Sequence, residues 1–407
     1  MKKLSIFLAA LVLCACAGSP GANSGADPGA ASYYVSAAGS DRSDGLSEET
    51  PFRSLFKAMT MAAGGPVKTI TVIGTLNETS ELSTNKERIF LLQGTGDKPV
   101  LICGKNSGGE PAVLSAAGSK RRVVLVRGTV PVRFENIEIS GGEASGEGGG
   151  IGIGPGSSVT LGPGTVIRDN RAENIGGGVL VAPGGSLFIE GGRILGNRSA
   201  AHGGGVAVVG SKGVILFRDG EISGNQATGG GGAAVFQGST FTLSGGIVTD
   251  NAADLAGGGI MVNQAEFAMD GGIIRGNNCS GSGGGIALLN QGSFLFTNGE
   301  IRENRAAEHG GGIASDDTSS IQVQGGFIAA NQAASRGGGV FSAGSFAKSG
   351  GKIYGTDVPR GEANTAASGA AVFIFRGEGQ NKTREQSAGE DLELDASTGE
   401  GWIAARE

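Results

Sequence analysis

Residues 176–197 of the chain read GGGVLVAPGGSLFIEGGRILGN, and this stretch carries the features that decide the fold. A triple glycine precedes a short apolar run, an alternating segment follows at residues 186–190, and an isoleucine stands three residues before an asparagine. Alternation of apolar and polar residues indicates β-strand. Because glycine suits turns with positive φ, the stretch is interpreted as short strands separated by tight turns.

The same features recur with a period of roughly 27 residues. The triple glycines end at Gly150, Gly178, Gly205, Gly232, Gly259, Gly285, Gly312 and Gly339. The asparagines that follow Ile or Val by three residues are Asn170, Asn197, Asn225, Asn251, Asn277, Asn304 and Asn331. Self-similarity of this length is typical of stacked repeats, and the regular part begins at about residue 140.

The composition agrees with a long, thin core and excludes several classes. The 407 residues include 80 Gly, 11 Pro and 1 Trp. Collagen is excluded because no strict Gly-X-Y phase is kept. A helical repeat is excluded because no ten-residue stretch of the repeats is both free of Gly and 3.6-periodic. A leucine-rich repeat has a similar period, but its Leu-x-x-Leu-x-Leu run is absent.

Alignment of the repeats places like residues in columns. One predicted inward column contains Val159, Leu187, Ile215, Phe241, Phe267, Phe294, Ile321 and Phe346. The second, two residues further on, contains Leu161, Ile189, Phe217, Leu243, Met269, Phe296, Val323 and Lys348. The sequence therefore predicts an all-β solenoid, a parallel β-helix with three short strands in each coil.

The asparagine column is predicted to be a structural ladder. Asparagine tolerates the left-handed backbone region and bonds backbone groups with both its amide and its carbonyl, so a stack of asparagines satisfies the same turn in each coil. A ligand-binding row of asparagines is the functional alternative. Seven identical positions along the whole stack favour the scaffold.

The start of the chain has the pattern of an export signal. Two lysines precede an apolar stretch that is short for a membrane span and ends at Leu13. The segment LCAC at residues 13–16 resembles a bacterial lipoprotein signal. Residues 1–16 are therefore expected to be a signal peptide with lipidation at Cys16, Cys14 being the fallback and an ordinary secretory signal the simpler alternative. Residues 17–32 are predicted to form a flexible tether.

The segments YYVS, GSD, DG, PF and LFKA, spread over residues 33–58, resemble the opening of bacterial right-handed β-helix proteins with the pectate lyase-like fold. This resemblance implies a right-handed solenoid. Residues 54–63 are predicted to form a short helix that covers the open hydrophobic end of the first coil.

The resulting domain assignment has three parts after the tether. Residues 33–66 form an N-terminal cap, residues 67–375 the β-helix, and residues 376–407 a polar C-terminal cap or tail. Strands of irregular early coils are predicted at residues 69–73, 89–92, 100–103, 112–114, 123–126 and 132–139.

The alternation of Gly-Gly-Gly-Ile with Ile-x-x-Asn over roughly residues 140–372 also resembles the repeats of the chlamydial polymorphic outer membrane proteins. Those proteins are surface adhesins on a β-helix, so the resemblance implies an adhesive role. The chain departs from them in having Ile or Val where they have Phe, and no strands of their membrane barrel are recognised after Phe375. Attachment is therefore expected through the lipid.

An enzyme of this fold needs acids gathered on adjacent coils, to bind calcium or to act as acid and base. One outward column, predicted as Glu190, Arg218, Ser244, Asp270, Thr297, Gln324 and Ser349, has no carboxylates on neighbouring coils. Nor does the column Arg193, Glu221, Ile247, Ile273, Glu300, Phe327 and Lys352. Opposite charges on neighbouring coils, Glu190 with Arg218 and Arg193 with Glu221, are interpreted instead as exposed ion pairs. The densest charged neighbourhood supplies the weak catalytic candidates, Asp270, Arg275, Glu300, Arg302 and Glu303.

No cofactor or metal is expected, and calcium is relevant only to a lyase. His202 and His309 stand at the same coil position but four coils apart, too far to share a metal. Cys103 and Cys279 are expected to be free, buried thiols because several coils separate them. The net charge of -6 disfavours nucleic acid.

Together these patterns predict an exported, monomeric protein, lipid-anchored in the cell envelope at the outer membrane or cell surface of a bacterium. Its predicted role is structural or adhesive, towards a host or envelope macromolecule or a glycan. The alternatives are a polysaccharide lyase or glycosidase and a periplasmic scaffold.

Overall fold

The computed structural model describes residues 31–81, 86–106, 110–355, 361–374 and 384–386. The predicted signal peptide, Cys14, Cys16 and nearly all of residues 376–407 lie outside these ranges. The chain is a right-handed parallel β-solenoid with one helix near its N-terminal end, which confirms the predicted fold class.

Each regular coil passes through three sheets. The first sheet has 17 strands in the described residues: Ser32–Ser36, Thr69–Ile73, Thr75–Leu76, Val100–Lys105, Ala112–Ser115, Val132–Glu135, Ile137–Ser140, Ser158–Leu161, Val166–Arg168, Ser186–Leu195, Val214–Ser223, Thr240–Leu243, Ile247–Thr249, Glu266–Arg275, Ser293–Arg302, Ser320–Ala329 and Ser345–Ile353. The strand predicted at residues 132–139 is thus two strands, because Asn136 between them has a φ of 50°.

The other two sheets follow the asparagine turn and the triple glycine. The second sheet contains Glu143–Ala144, Arg171–Ala172, Arg198–Ser199, Gln226–Gly229, Ala252–Ala256, Asn278–Cys279, Arg305–Ala306 and Gln332–Ala333. The third contains Arg88–Gly94, Arg122–Gly128, Ile151–Ile153, Val179–Val181, Val206–Val208, Ala233–Phe236, Ile260–Asn263, Ile286–Leu289, Ile313–Ser315, Val340–Ser342, Val372–Ile374 and the antiparallel Arg384–Gln386.

The two predicted inward columns are confirmed by the strand register. Leu187 faces Ile215, and Ile215 faces Phe241, in successive parallel strands. The ring of Phe267 stacks on that of Phe294 at 4.9 Å between centroids. The same column placement buries Lys348, which is 2% exposed. Like residues therefore lie over like residues in a continuous core.

The triple glycines pack backbone against backbone between coils. Gly176 has a φ of 69°, a conformation that favours glycine. A Cβ on the next residue, Gly177, would lie 2.4 Å from the carbonyl oxygens of both Arg198 and Gly204. Side chains are excluded there because successive coils approach too closely.

The predicted N-terminal helix, α1, spans Leu55–Gly64 and buries Leu55, Ala58, Met59 and Ala62. Its N-cap Ser54 accepts a hydrogen bond from the backbone N–H of Lys57 at 3.1 Å. A second, four-residue helix, α2, spans Glu78–Glu81. Among the described residues, no helix has both the length and the apolar character needed to cross a membrane.

The asparagine side chains are bonded to one another from coil to coil. Asn251 Nδ2 donates to Oδ1 of Asn277 and to the carbonyl oxygen of Ile222, both at 2.9 Å. Asn251 Oδ1 accepts from the backbone N–H of Asn225 at 3.0 Å. The row continues beyond Asn331 to Asn364, at 2.9 Å.

The left-handed backbone conformation expected at the asparagines occurs instead one residue before them. Asp169, Gly196, Gly224, Asp250, Gly276, Glu303 and Ala330 have φ values between 54° and 65°. The asparagine itself is free to point inward, where its side chain bonds the turn of the neighbouring coil.

Candidate functional site

Three of the five catalytic candidates line one surface groove near the C-terminal end of the solenoid. This Phe327 groove has a volume of about 310 Å³ and is lined by Glu300, Arg302, Glu303, Phe327, Ala329, Ala330, Tyr354, Gly361 and Glu362. Arg275 is the register partner of Arg302 on the preceding coil and does not line the groove. Asp270 lies in the middle of that strand, Glu266–Arg275, and faces Asn298.

The floor of the groove is a small residue between two large charged ones. Arg302 faces Ala329 in the first sheet, and the backbone N–H of Ala330 donates to the carbonyl of Glu362 at 2.7 Å. Arg302, Ala329 and Glu362 therefore occupy the same position on successive coils. The outer two are separated by two coil steps, ~9.6 Å at about 4.8 Å per step.

Two aromatic rings form one wall. Phe327 is 46% exposed although it is a large apolar side chain. Its ring lies 6.5 Å from that of Tyr354, and the two planes differ by only 9°. Flat aromatic faces pack against apolar ring faces, and exposed aromatic rings beside charged groups are typical of recognition sites.

The preceding coil contributes three charged residues of the groove, and these are paired with one another. Arg302 Nη2 lies 2.8 Å from Glu303 Oε1, and Arg302 Nη1 lies 3.3 Å from Glu300 Oε2. Partial burial acts to lower the pKa of Arg302, but its hydrogen bonds and charge interactions with Glu303 and Glu300 outweigh this and raise it. The arginine stays a cation and holds both carboxylates at the rim of the groove.

The groove also contains unusual backbone. Glu303 has a φ of 58° and Ala330 a φ of 55°, whereas neighbouring coils place Gly276 and Asp250 at this turn position. A left-handed conformation costs a residue with a Cβ about 1–2 kcal/mol. Strained positions of this kind concentrate at functional sites. The coil from Asn331 to Asn364 spans 33 residues instead of about 27, so the groove forms where the repeat is interrupted.

Analysis of the sequence missed Phe327, Tyr354 and Glu362 as parts of this site. The available signals were a large aromatic residue in an outward column and the long last coil. Tyr354 and Glu362 could not be placed because the coil from Asn331 to Asn364 departs from the 27-residue period, so the period does not align them with the earlier coils.

At a second charged cluster, the observed strand register differs from the predicted outward column. Glu190 faces Asp219, not Arg218, so two carboxylates do lie on neighbouring coils. The register of the two strands shifts at a corner of the coil that contains Gly191 and Gly220. These glycines have φ values of 104° and 120°. The same corner shifts the register of Asp270 and Gln324 in later coils.

The predicted ion pairs at this corner are present and belong to a larger network. Arg218 lies 2.6 Å from Glu190, and Arg193 lies 3.0 Å from Glu221. Arg133 also reaches Glu190, at 2.8 Å, across an intervening coil that carries Gly162. Burial acts to raise the pKa of Glu190, but its bonds to the two arginines prevail and lower it.

Cys279 is buried, and burial raises the pKa of its thiol to about 11. Cys103 is also free but only half-buried, so its predicted full burial is wrong.

Burial lowers the pKa of both His202 and His309. Asp316 Oδ1 accepts bonds from Thr318 and Ser319 and thereby closes a turn. Within the described ranges, no group of three or more His, Cys, Asp or Glu forms a potential metal site.

Comparison with known proteins agrees with the fold and leaves the activity open. The crystal structure of a GH136 lacto-N-biosidase from Eubacterium ramulus aligns with 79% of this chain and 67% of its own, at 11% identity and a TM-score of 0.32. No curated protein matches the sequence. Residues 118–269, a part of the solenoid, match the family described as right handed beta helix region.

Proposed function

We propose that the protein is a lipid-anchored component of the bacterial cell envelope that binds a glycan through the Phe327 groove without turning it over. The observation that carries the proposal is the pairing of two parallel aromatic rings, the exposed Phe327 and the half-buried Tyr354, with a charged rim around the Ala329 floor. Aromatic faces pack against the C–H faces of sugar rings, while Arg302 and the carboxylates suit sugar hydroxyls.

Binding to a glycan array tests the groove. We expect Phe327→Ala and Tyr354→Ala each to weaken binding of the best glycan at least tenfold. Leu295→Ala is the matched control, because Leu295 is another exposed apolar residue of the first sheet that does not line the groove. Equal loss in all three variants would contradict the assignment of the groove.

Envelope attachment rests on the pattern at residues 13–16 and is tested separately. Mass spectrometry of the mature N-terminus should show lipid on Cys16, and Cys16→Ala should abolish it. Lipid that remains on Cys16→Ala would assign Cys14, and an unlipidated wild type would favour an ordinary secretory signal. Proteolysis of intact cells should cleave the protein if it is surface-exposed, whereas protection would favour a periplasmic scaffold.

A polysaccharide lyase or glycosidase is the second candidate. The observation in its favour is that Glu300, Glu303 and Glu362 line one groove. Glu300 and Glu303 are, however, already engaged by Arg302. Incubation with polysaccharides, with and without calcium, should release no new reducing or unsaturated ends. Turnover that is lost in Glu300→Gln or Glu303→Gln would replace the binding proposal by the enzymatic one.

A further inference from the structure

A pair of arginines on the second sheet has an arrangement that no other arginine pair of that sheet shares. Arg171 and Arg198 are register partners on adjacent coils, and Gln226 follows on the next. All three side chains are exposed. Adjacent coils are about 4.8 Å apart. The two arginine side chains therefore leave the backbone at positions that are closer together than the Debye screening length in physiological salt.

The backbone holds this pair in place. Each arginine directly follows a buried ladder asparagine, Asn170 or Asn197. The backbone N–H of Arg198 donates to the carbonyl of Asn170, and that of Gln226 to the carbonyl of Asn197, both at 2.9 Å. The two cations therefore cannot relieve their repulsion by moving the strands apart.

Three arginines of the neighbouring first sheet form ion pairs, but the Arg171–Arg198 pair does not. Arg168, Arg193 and Arg218 lie 2.9, 3.0 and 2.6 Å from Glu138, Glu221 and Glu190 respectively. Among the described residues, no carboxylate forms an ion pair with Arg171 or Arg198.

The pair borders a concave, polar surface. A groove of about 230 Å³ is lined by both arginines and by Ala200, Gln226, Thr228, Ala252 and Asp254, among others. Alanine at two of these positions leaves room beside the guanidinium groups. Gln226 and Thr228 supply neutral hydrogen-bonding groups next to them.

We propose that the Arg171–Arg198 pair binds the sulfate or phosphate monoester of a saccharide. Two guanidinium groups on adjacent coils offer several N–H donors to one tetrahedral oxyanion, which also removes their mutual repulsion. Gln226 and Thr228 then contact the neutral hydroxyls of the same sugar.

The surrounding acids restrict the ligand further. Glu143 is the register neighbour of Arg171 on the preceding coil, Glu173 lies two residues beyond Arg171, and Asp254 closes the far end of the groove. Carboxylates around the pair repel a ligand with many negative charges. The site therefore selects a saccharide with a single ester over a polyanion.

The test uses titration calorimetry of the full chain with galactose 6-sulfate and galactose 6-phosphate. We expect Arg198→Ala and Arg171→Ala to weaken binding at least tenfold and Arg198→Lys to weaken it less. Arg305→Ala is the matched control, because Arg305 occupies the same column between Asn278 and Gln332, without a second arginine, and should change binding less than twofold.

Additional variants and ligands in the same experiment test each part of the proposal separately. Glu143→Gln should strengthen binding, and the sulfate and phosphate titrations show which ester is preferred. Phe327→Ala should have no effect, which separates this site from the Phe327 groove. Equal losses in Arg305→Ala and Arg198→Ala, equal affinity for inorganic sulfate, or tighter binding of heparin than of the monoester would overturn the proposal.

Discussion

Single residues in this chain matter most where a repeated position departs from its usual occupant. The turn before each ladder asparagine needs a left-handed residue, and Gly or Asp fills it in five of the seven coils named above. Glu303 and Ala330 are the exceptions, and both line the Phe327 groove. The strain is local because the ladder asparagine that follows each of them holds the turn closed.

Relief of that strain should be measurable. Ala330→Gly is expected to stabilise the protein by up to about 1 kcal/mol, since the cost of about 1–2 kcal/mol for a Cβ at this φ exceeds the extra entropy loss of glycine. Chemical denaturation measures the change. Ala329→Gly, one residue earlier in a strand, should instead be destabilising by roughly 0.5–1 kcal/mol. Destabilisation by both substitutions would show that Ala330 is not strained.

A substitution in the asparagine ladder is predicted to lower the free energy of unfolding. The Asn251 side chain is 1% exposed, and its Nδ2 donates two hydrogen bonds. Asn251→Asp removes both donors and places a carboxylate against the same two acceptor oxygens. We expect a loss of about 3–5 kcal/mol in the free energy of unfolding, as for an uncompensated buried charge. Asn278→Asp is the control, because Asn278 follows the ladder residue Asn277 but is exposed. A similar loss in both variants would contradict a special role of the ladder.

The structural roles of single residues were predictable from the sequence where the 27-residue period repeats them. They were not predictable where the period is interrupted. The ladder asparagines are visible as a column, whereas Asn364 is hidden by a 33-residue spacing. The left-handed position was assigned one residue too late, because asparagine propensity alone does not show which of two adjacent turn residues bends the backbone.

At the level of elements, the junction of α1 and α2 contains an acid whose ionisation opposes folding. Glu81 at the end of α2 accepts hydrogen bonds from the backbone N–H groups of Leu55 and Phe56 at the start of α1. Burial, with a smaller contribution from the charge of Asp41, raises the pKa of Glu81 to about 7 despite these two bonds.

The pH dependence follows from the sign of this shift. The folded chain binds the proton more tightly than the unfolded chain, so the contribution is full below pH 4.5 and is lost as the pH rises through about 7. At about 1.36 kcal/mol per pKa unit, the change is roughly 3 kcal/mol at most. Thermal unfolding between pH 4.5 and 8 measures it. Glu81→Gln should flatten this slope, while the exposed Glu266→Gln should not; an unchanged slope in Glu81→Gln would contradict the assignment.

Elements were predicted well where side chains alternate and less well at corners. The inward columns follow from period two within strands and a coil length near 27. The corner at Gly191 is different, because a glycine with a φ of 104° changes the facing partner of Glu190 without changing the number of residues in the coil. Analysis of the sequence therefore found the ion pair between Glu190 and Arg218 but not the register that places Asp219 opposite Glu190.

On the scale of the whole molecule, the solenoid is a one-dimensional stack in which each coil contacts its neighbours. Both proposed binding surfaces are grooves in which alanines lie beside larger polar or charged side chains. They lie on different sheets, so a mutation in one surface is expected to leave the other intact. Function in such a molecule depends on local departures from a scaffold that is otherwise repeated.

This organisation predicts that one coil is removable as a unit. Deletion of residues 252–277 joins Asn251 to Asn278 and lets Asn304 become the next ladder partner of Asn251, with Phe241 facing Phe294 in the core. We expect a folded monomer with an unchanged β-sheet circular dichroism spectrum per residue and unaltered binding at the Phe327 groove. Deletion of residues 252–264 removes half as many residues and therefore only half a coil, so it should place apolar columns over turns and unfold or aggregate the protein. Equal tolerance of both deletions, measured by sedimentation and denaturation, would contradict stacking in register as the source of stability.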